Sequence, residues 1–157
     1  MATVGLNHVS VCAPDMEASI AFYEDLFGAE RLPTPNFGYP VQWLRLGAVQ
    51  LHLFDRPEPA REYAHFGITV DDMDAVYTRA RELGALDFGN FGHCLFELPG
   101  DCVQLYLRDP GGNLVEADAV GVERLSPEVR ADVQPLTDHS PQSEENLRAT
   151  LFLGGRA

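Results

Sequence analysis

The chain has 157 residues, 45% of them hydrophobic, and a formal net charge of −13 at pH 7. This length and apolar content allow one ordinary core or two small repeated modules. The strong negative charge repels phosphate backbones and anionic lipid surfaces, so we expect neither nucleic acid nor a membrane among the partners. No apolar run is long enough to span a bilayer and no secretory signal is recognisable, so we expect a cytoplasmic protein.

The first part of the chain predicts a strand, a helix and three further strands. Residues 6–13 alternate between apolar and polar side chains, which is typical of a strand with one buried face. Asp15 can cap a helix that runs to Phe27, where Gly28 supplies a left-handed stop. We therefore predict a first βαβββ module over residues 1–56. Its later strands are predicted at 30–32, 41–46 and 49–54, before a proline-rich link at 55–62.

The second part repeats this order over residues 57–120. An alternating strand begins at His65, and Asp72 and Gly84 bracket a second helix. After residue 120 the chain is rich in serine and proline, and we expect this extension, 121–157, to be extended outside 144–153. It can dock on a module, cross to a partner subunit or be loosely ordered. Later strands of the second module are predicted at 86–88, 103–107 and 113–118, with 94–98 as a candidate extra strand.

The two modules are copies of one another at their openings. Residues 8–18 align with residues 65–75 without a gap. Each copy begins with a histidine, His8 in the first and His65 in the second. Because a histidine occupies the same position in both copies, we expect the two imidazoles to have the same function.

A second match closes each module. Residues 47–52 correspond in length to residues 111–116, and they end in His52 and Glu116. One such side chain on a strand is usually packed or exposed to solvent, but four at matched ends of a repeat predict a common metal site. Three imidazoles and one carboxylate suit zinc, iron, nickel, manganese or cobalt, whereas calcium and magnesium prefer more oxygen.

The paired modules and two motifs resemble the vicinal oxygen chelate superfamily. The motifs are residues 19–28, which read Ser-x-x-Phe-Tyr-x-x-Leu-x-Gly, and residues 109–116, which read Asp-Pro-Gly-Gly-Asn-x-x-Glu. This superfamily includes glyoxalase I, methylmalonyl-CoA epimerase, extradiol dioxygenases and the bleomycin- and fosfomycin-resistance proteins. The resemblance covers residues 6–119. It implies an α+β fold whose modules form an open eight-stranded barrel around a divalent metal, a homodimer, and metal ligands at His8, His52, His65 and Glu116.

The resemblance also implies a function. The leading hypothesis is a glyoxalase-I-like lyase or isomerase in which the metal chelates two neighbouring oxygens of a small carbonyl substrate and stabilises an enediolate. Glu116 is the expected catalytic base. His52 departs from the family pattern, because glyoxalase I carries a glutamate there and the epimerase a glutamine.

Two alternatives remain open. His8, His65 and Glu116 alone would form the two-histidine, one-carboxylate site of an iron(II) extradiol dioxygenase. Binding of His52 would leave only two positions on an octahedral ion and would disfavour that chemistry. The other alternative is a non-catalytic drug- or metabolite-binding resistance protein, against which the retention of all four candidate ligands counts.

The residues around the predicted site offer few contacts for a charged substrate. A dianionic thiol conjugate would require cationic side chains, and the first module offers Arg31, Arg45 and Arg56 as candidates. We therefore expect a different carbonyl substrate. Four aromatic residues are candidates to line an apolar pocket, although such residues more commonly build the core: Phe37, Tyr39, Trp43 and Phe54.

Overall fold

The computed structural model describes residues 5–57, 62–151 and 153. Residues 58–61 of the predicted link, and the last residues of the extension, lie outside the described residues. No helix in the described part of the chain is long and apolar enough to cross a membrane.

The chain forms two compact units. The first contains the described residues up to Ala64 together with Asp109–Asn113. The second contains His65–Arg108 and the described residues from Leu114 onward. Each unit is built on one sheet, in agreement with the predicted α+β fold.

The first sheet has the strand order β1-β4-β3-β2. Strand β1 runs parallel to β4, and the other neighbours are antiparallel. The three later strands have the predicted bounds, and β1 lies inside its predicted range. The strands are β1 (His8–Cys12), β2 (Glu30–Leu32), β3 (Val41–Leu46) and β4 (Val49–Phe54).

Helix α1 (Met16–Phe27) covers the apolar face of this sheet, packing against β3 and β4. The Asp15 side chain accepts a hydrogen bond from the Ala18 backbone N–H at 3.1 Å, and Gly28 ends the helix with φ of 60°. Both ends are as predicted. Each large side chain that the helix buries contributes about 1.5–3 kcal/mol to folding. The largest are Ile20, Phe22, Tyr23 and Leu26.

The second sheet repeats this topology in the order β5-β8-β7-β6-β9, with β5 parallel to β8. The repeated βαβββ order predicted from the sequence is confirmed, and β9 is an addition. Helix α2 (Met73–Glu82) is capped by the Asp72 side chain, as predicted, and Gly84 follows its end with φ of 66°. The strands are β5 (His65–Thr69), β6 (Leu95–Leu98), β7 (Cys102–Arg108), β8 (Leu114–Val120) and β9 (Gln134–Pro135).

The prediction of a strand at 86–88 is wrong. Leu86 forms only an isolated bridge with Leu107, and the candidate extra strand takes the place beside β7 as β6. The physical reason is the turn-forming sequence that begins at Gly89, which leads the chain away from β7 before a ladder can form.

Between residues 121 and 151 the extension forms short helices and turns instead of extended backbone, contrary to the prediction. It forms helix α3 (Pro127–Ala131), helix α4 (Leu136–His139) and two 3₁₀ turns, Val122–Arg124 and Asn146–Arg148. The Ser126 side chain caps α3 with a proline in its first turn, so a serine–proline pair starts a helix here instead of preventing one. Within 144–153 the described residues hold only the second turn.

The described part of the extension docks on the second unit, which is the first of the three possibilities left by the sequence. Strand β9 pairs in parallel with β6 and covers its edge. The Ser126 backbone N–H donates to the Asp74 carboxylate at 3.0 Å, and the Tyr77 hydroxyl donates to the Asp132 carboxylate. Burial first, and this hydrogen bond second, raise the pKa of Tyr77 to about 12.

The turn between β7 and β8 belongs to the first unit. Asp109 is 4% exposed and accepts hydrogen bonds from the Tyr23 hydroxyl at 2.7 Å and from Asn113 Nδ2 at 2.9 Å. Asn113 Nδ2 also donates to the Cys12 carbonyl at 2.7 Å. A Cβ added to Gly111 would lie 2.5 Å from that carbonyl oxygen, so only glycine fits. Burial raises the pKa of Asp109, and the hydrogen bonds oppose the rise.

We expect Tyr23→Phe to destabilise the protein by about 1–3 kcal/mol, because a buried carboxylate oxygen loses one of its two donors. The lost donor raises the pKa of Asp109 further above its ordinary value, so the folded state binds the proton more tightly than the unfolded state. Stability then falls more steeply as the pH rises from about 4, and the deficit should be larger at about pH 8 than at about pH 5.

Denaturant unfolding at both pH values measures this difference. Tyr39→Phe, at a tyrosine that is 38% exposed, is the control. A deficit of equal size at both pH values would contradict the assignment to Asp109.

Candidate functional site

The polar face of the first sheet carries a stack of three rings. The ring centroids of His8 and His52 are 4.3 Å apart at an interplanar angle of 13°, and those of His52 and Trp43 are 4.4 Å apart at 7°. The register explains this contact, because Trp43 on β3 lies opposite His52 on β4. The first unit therefore brings together two of the four predicted metal ligands.

The two histidines differ in environment. His52 is 7% exposed, and its Nε2 atom lies 2.9 Å from Gln50 Oε1. Burial, and then the neighbouring His8, lower the pKa of His52. The ring is therefore neutral at neutral pH, which is the form that binds a metal. His8 is exposed, and its Nδ1 atom is hydrogen-bonded to the side chain of Asn7.

The polar face of the second sheet carries the other two predicted ligands. His65 Nε2 lies 3.4 Å from Glu116 Oε2. Glu116 is 7% exposed, and its Oε1 atom accepts a hydrogen bond from Gln104 Nε2 at 2.8 Å. Gln104 Oε1 in turn accepts from the Tyr106 hydroxyl at 3.2 Å. One oxygen of the Glu116 carboxylate is thus held by an amide, while the other faces an imidazole.

A second carboxyl group, missed by sequence reasoning, lies beside Glu116. Asp118 is 3% exposed. Burial, and then the charge of Glu116, raise the pKa of Asp118 to about 7. A Cβ added to Gly67 would lie 3.0 Å from Asp118 Oδ2 and 3.6 Å from Glu116 Oε1, so the glycine makes room for both groups. The available signal was strand alternation, since residues two apart share a face.

The donors have the right chemistry for a borderline divalent metal. Two ligands bound at about 2.1 Å in a tetrahedral arrangement lie about 3.4 Å apart. The distance between His65 Nε2 and Glu116 Oε2 has this value, 3.4 Å. Across residues 5–57, 62–151 and 153, no group of three or more His, Cys, Asp or Glu side chains is arranged to hold a metal ion. The four candidates form two pairs, one in each unit, and their joint binding of one ion stays a prediction.

Known proteins are similar to this chain in sequence and in fold. Residues 5–117 match the sequence model of the Glyoxalase/Bleomycin resistance protein/Dioxygenase superfamily. The chain is 31% identical over 135 residues to mitochondrial methylmalonyl-CoA epimerase from Homo sapiens, covering 72% of each protein. It is 31% identical over 124 residues to metallothiol transferase FosB from Lysinibacillus sphaericus, covering 74% of this chain and 82% of that protein.

A solved structure gives the same result. The fold is similar to that of lactoylglutathione lyase from Agrobacterium tumefaciens, with 27% sequence identity and a TM-score of 0.57. The similarity covers 75% of this chain and 95% of the lyase. The family match covers both βαβββ repeats up to Ala117 in β8 and confirms the resemblance predicted from the sequence. The chain therefore belongs to the glyoxalase/bleomycin resistance protein/dioxygenase superfamily.

Proposed function

We propose that the protein is a metal-dependent lyase or isomerase of the glyoxalase I type, acting on a small carbonyl substrate. The observation that carries this proposal is the arrangement of Glu116, with one oxygen bonded to Gln104 and the other 3.4 Å from His65 Nε2. A relative named as an epimerase and a similar structure named as a lyase support it. The ligands we propose for one zinc, iron, nickel, manganese or cobalt ion are His8, His52, His65 and Glu116.

The chemistry proposed for the site is proton removal next to a carbonyl. A bound divalent ion would polarise two neighbouring oxygens of the substrate and stabilise the negative charge that develops. Glu116 would act as the base by leaving the ion or through a bridging water, and its Oε2 atom would take the proton, because Gln104 binds the other oxygen. Gln104 is a positioning residue: its bond to Glu116 resists rotation of the carboxylate, and the Tyr106 hydroxyl orients its amide.

A second candidate function, an iron(II) extradiol dioxygenase, is favoured by one observation. The ring of His52 is packed between His8 and Trp43, and its Nε2 atom is engaged by Gln50. If His52 keeps these contacts and does not bind the ion, two histidines and Glu116 would leave positions for a catechol and dioxygen. Metal-dependent oxygen uptake with catechols distinguishes this function from proton removal.

Replacing any one of the four proposed ligands with alanine should lower the metal content of the purified protein. It should also lower the melting temperature, because a metal that binds only the folded state stabilises that state. Elemental analysis and thermal unfolding measure the two effects. His139→Ala is the control, at an exposed histidine of the extension. Near-stoichiometric metal in a His8→Ala, His65→Ala double variant would place the site elsewhere.

Glu116→Gln should lower turnover by about 10²–10⁴-fold, because it keeps an oxygen ligand while removing the base. NMR in heavy water measures proton exchange next to the carbonyl for α-keto aldehydes, their thiol adducts and acyl thioesters. Glu97→Gln, on strand β6 of the same sheet, is the matched control. Oxygen uptake with catechols and no proton exchange would favour the dioxygenase. Neither activity, together with tight binding of an aromatic compound, would favour a sequestering protein.

Gln104→Leu should lower kcat by about 10–100-fold with little change in KM, because Glu116 loses its positioning donor. Tyr106→Phe should have a smaller effect of the same kind, since it removes only the group that orients the amide. Gln42→Leu is the control, at a half-buried glutamine of the first sheet whose amide donates to the Leu32 and Trp43 carbonyls. A Gln104→Leu variant that loses stability but keeps the native kcat would exclude a positioning role.

A further inference from the structure

A strip of aromatic rings extends from Trp43 along the first unit. The Phe37 ring centroid lies 6.1 Å from that of Trp43 and 6.4 Å from that of Tyr39, and Tyr39 lies 6.2 Å from Phe54. We call these four residues the aromatic strip. Phe37 is 45% exposed and Tyr39 is 38% exposed, although both contact other rings. Because Trp43 stacks on His52, the strip begins at a proposed metal ligand.

A cation contacts the Tyr39 ring of the aromatic strip. The Arg56 guanidinium carbon is 4.2 Å from the centroid of the Tyr39 ring, and the residue is exposed. The two other arginines described in the first unit, Arg31 and Arg45, form ion pairs with glutamates at 2.9 and 3.4 Å. Among the residues that the structure describes, Arg56 has no ion-pair partner. Its guanidinium is exposed, and no described carboxylate competes with an anion from solution for it.

The exposed aromatic rings and the arginine beside them favour one class of ligand. Exposed aromatic faces bind planar rings by offset or edge contacts and gain from removing apolar area from water. A guanidinium that is already stacked on a ring binds a carboxylate through two parallel hydrogen bonds. A chain with a net charge of −13 repels anions elsewhere on its surface, so an unpaired arginine is a selective position for one negative charge.

We infer that the aromatic strip and Arg56 form a binding subsite for the non-reacting part of the substrate, a planar aromatic group that carries a single carboxylate. Calling this ligand the substrate rests on the proposed function, whereas its binding does not. The subsite disfavours a dianionic thiol conjugate. The two negative charges of such a conjugate would need two cationic partners, and the described residues of the first unit offer one unpaired cation. The substrate class narrows to aromatic carbonyl compounds with one negative charge.

Direct binding tests this inference without any turnover. Trp43 is the one tryptophan of the chain and belongs to the strip, so its fluorescence reports occupancy. Three probes distinguish the contribution of the negative charge to binding from that of the aromatic ring. They are benzoate, its neutral isostere benzamide, and the non-aromatic anion cyclohexanecarboxylate. We expect benzoate to bind more tightly than either of the others, by fluorescence titration and by calorimetry.

Variants assign the contacts. Arg56→Met should weaken benzoate binding about tenfold and leave benzamide binding unchanged, because it removes one charge-assisted contact. Phe37→Ala should weaken both aromatic probes. Arg45→Met is the matched control, since that arginine is paired with Glu30, and it should change neither. All three positions are exposed or partly exposed on the surface, and circular dichroism checks that each variant is folded.

Benzoate binding no tighter than benzamide binding would overturn the inference, as would an equal loss in Arg45→Met and Arg56→Met. Failure of the proposed function has a different signature. Charge-selective benzoate binding without any proton exchange would retain the subsite and remove the lyase or isomerase. Proton exchange without charge-selective binding would retain the enzyme and remove the subsite.

Discussion

Parallel pairing between the first and last strands of each half determines where every candidate ligand lies. A parallel pair cannot be closed by a tight turn, so a helix and two further strands must separate β1 from β4 and β5 from β8. The register of these pairs is the same in both halves: Ser10 lies opposite His52, and Gly67 lies opposite Glu116. His8 lies two residues before Ser10, and His65 two residues before Gly67. His8 therefore shares a sheet face with His52, and His65 shares one with Glu116.

The second sheet buries two carboxyl groups on that face, and this is costly in a medium of low dielectric constant. An amide donor from Gln104 and the imidazole of His65 offset the cost for Glu116. Asp118 has fewer partners, and its raised pKa reflects both its burial and the adjacent negative charge. Carboxyl groups buried side by side are characteristic of functional sites more than of stable cores, because apolar residues would pack the same space at lower cost.

Sequence reasoning located both helices and the strands of the first half, because caps, glycine stops and alternation agreed with one another there. It also selected four candidate ligands, because a repeat marks its matched ends, and their binding of a metal stays a prediction. It missed Gln104 and Asp118, which lie opposite each other on β7 and β8, because the equivalent positions of the first sheet hold the opposed pair Val41 and Phe54. Comparison of the two halves detects only what both retain. Functional side chains that are present in one half alone are identified only by the tertiary contacts that they make in the structure.

The turn at Asp109–Asn113 makes the first unit discontinuous along the chain. The Tyr23 hydroxyl meets an acceptor 86 residues further on, and the Cys12 carbonyl meets a donor 101 residues further on. Contacts between such distant residues slow folding, because a long loop must close before they form. On the ribosome, the first module emerges well before the residues that complete it. The two modules therefore do not complete their folding one after the other. The first reaches its final packing only when the last hairpin of the second has been synthesised.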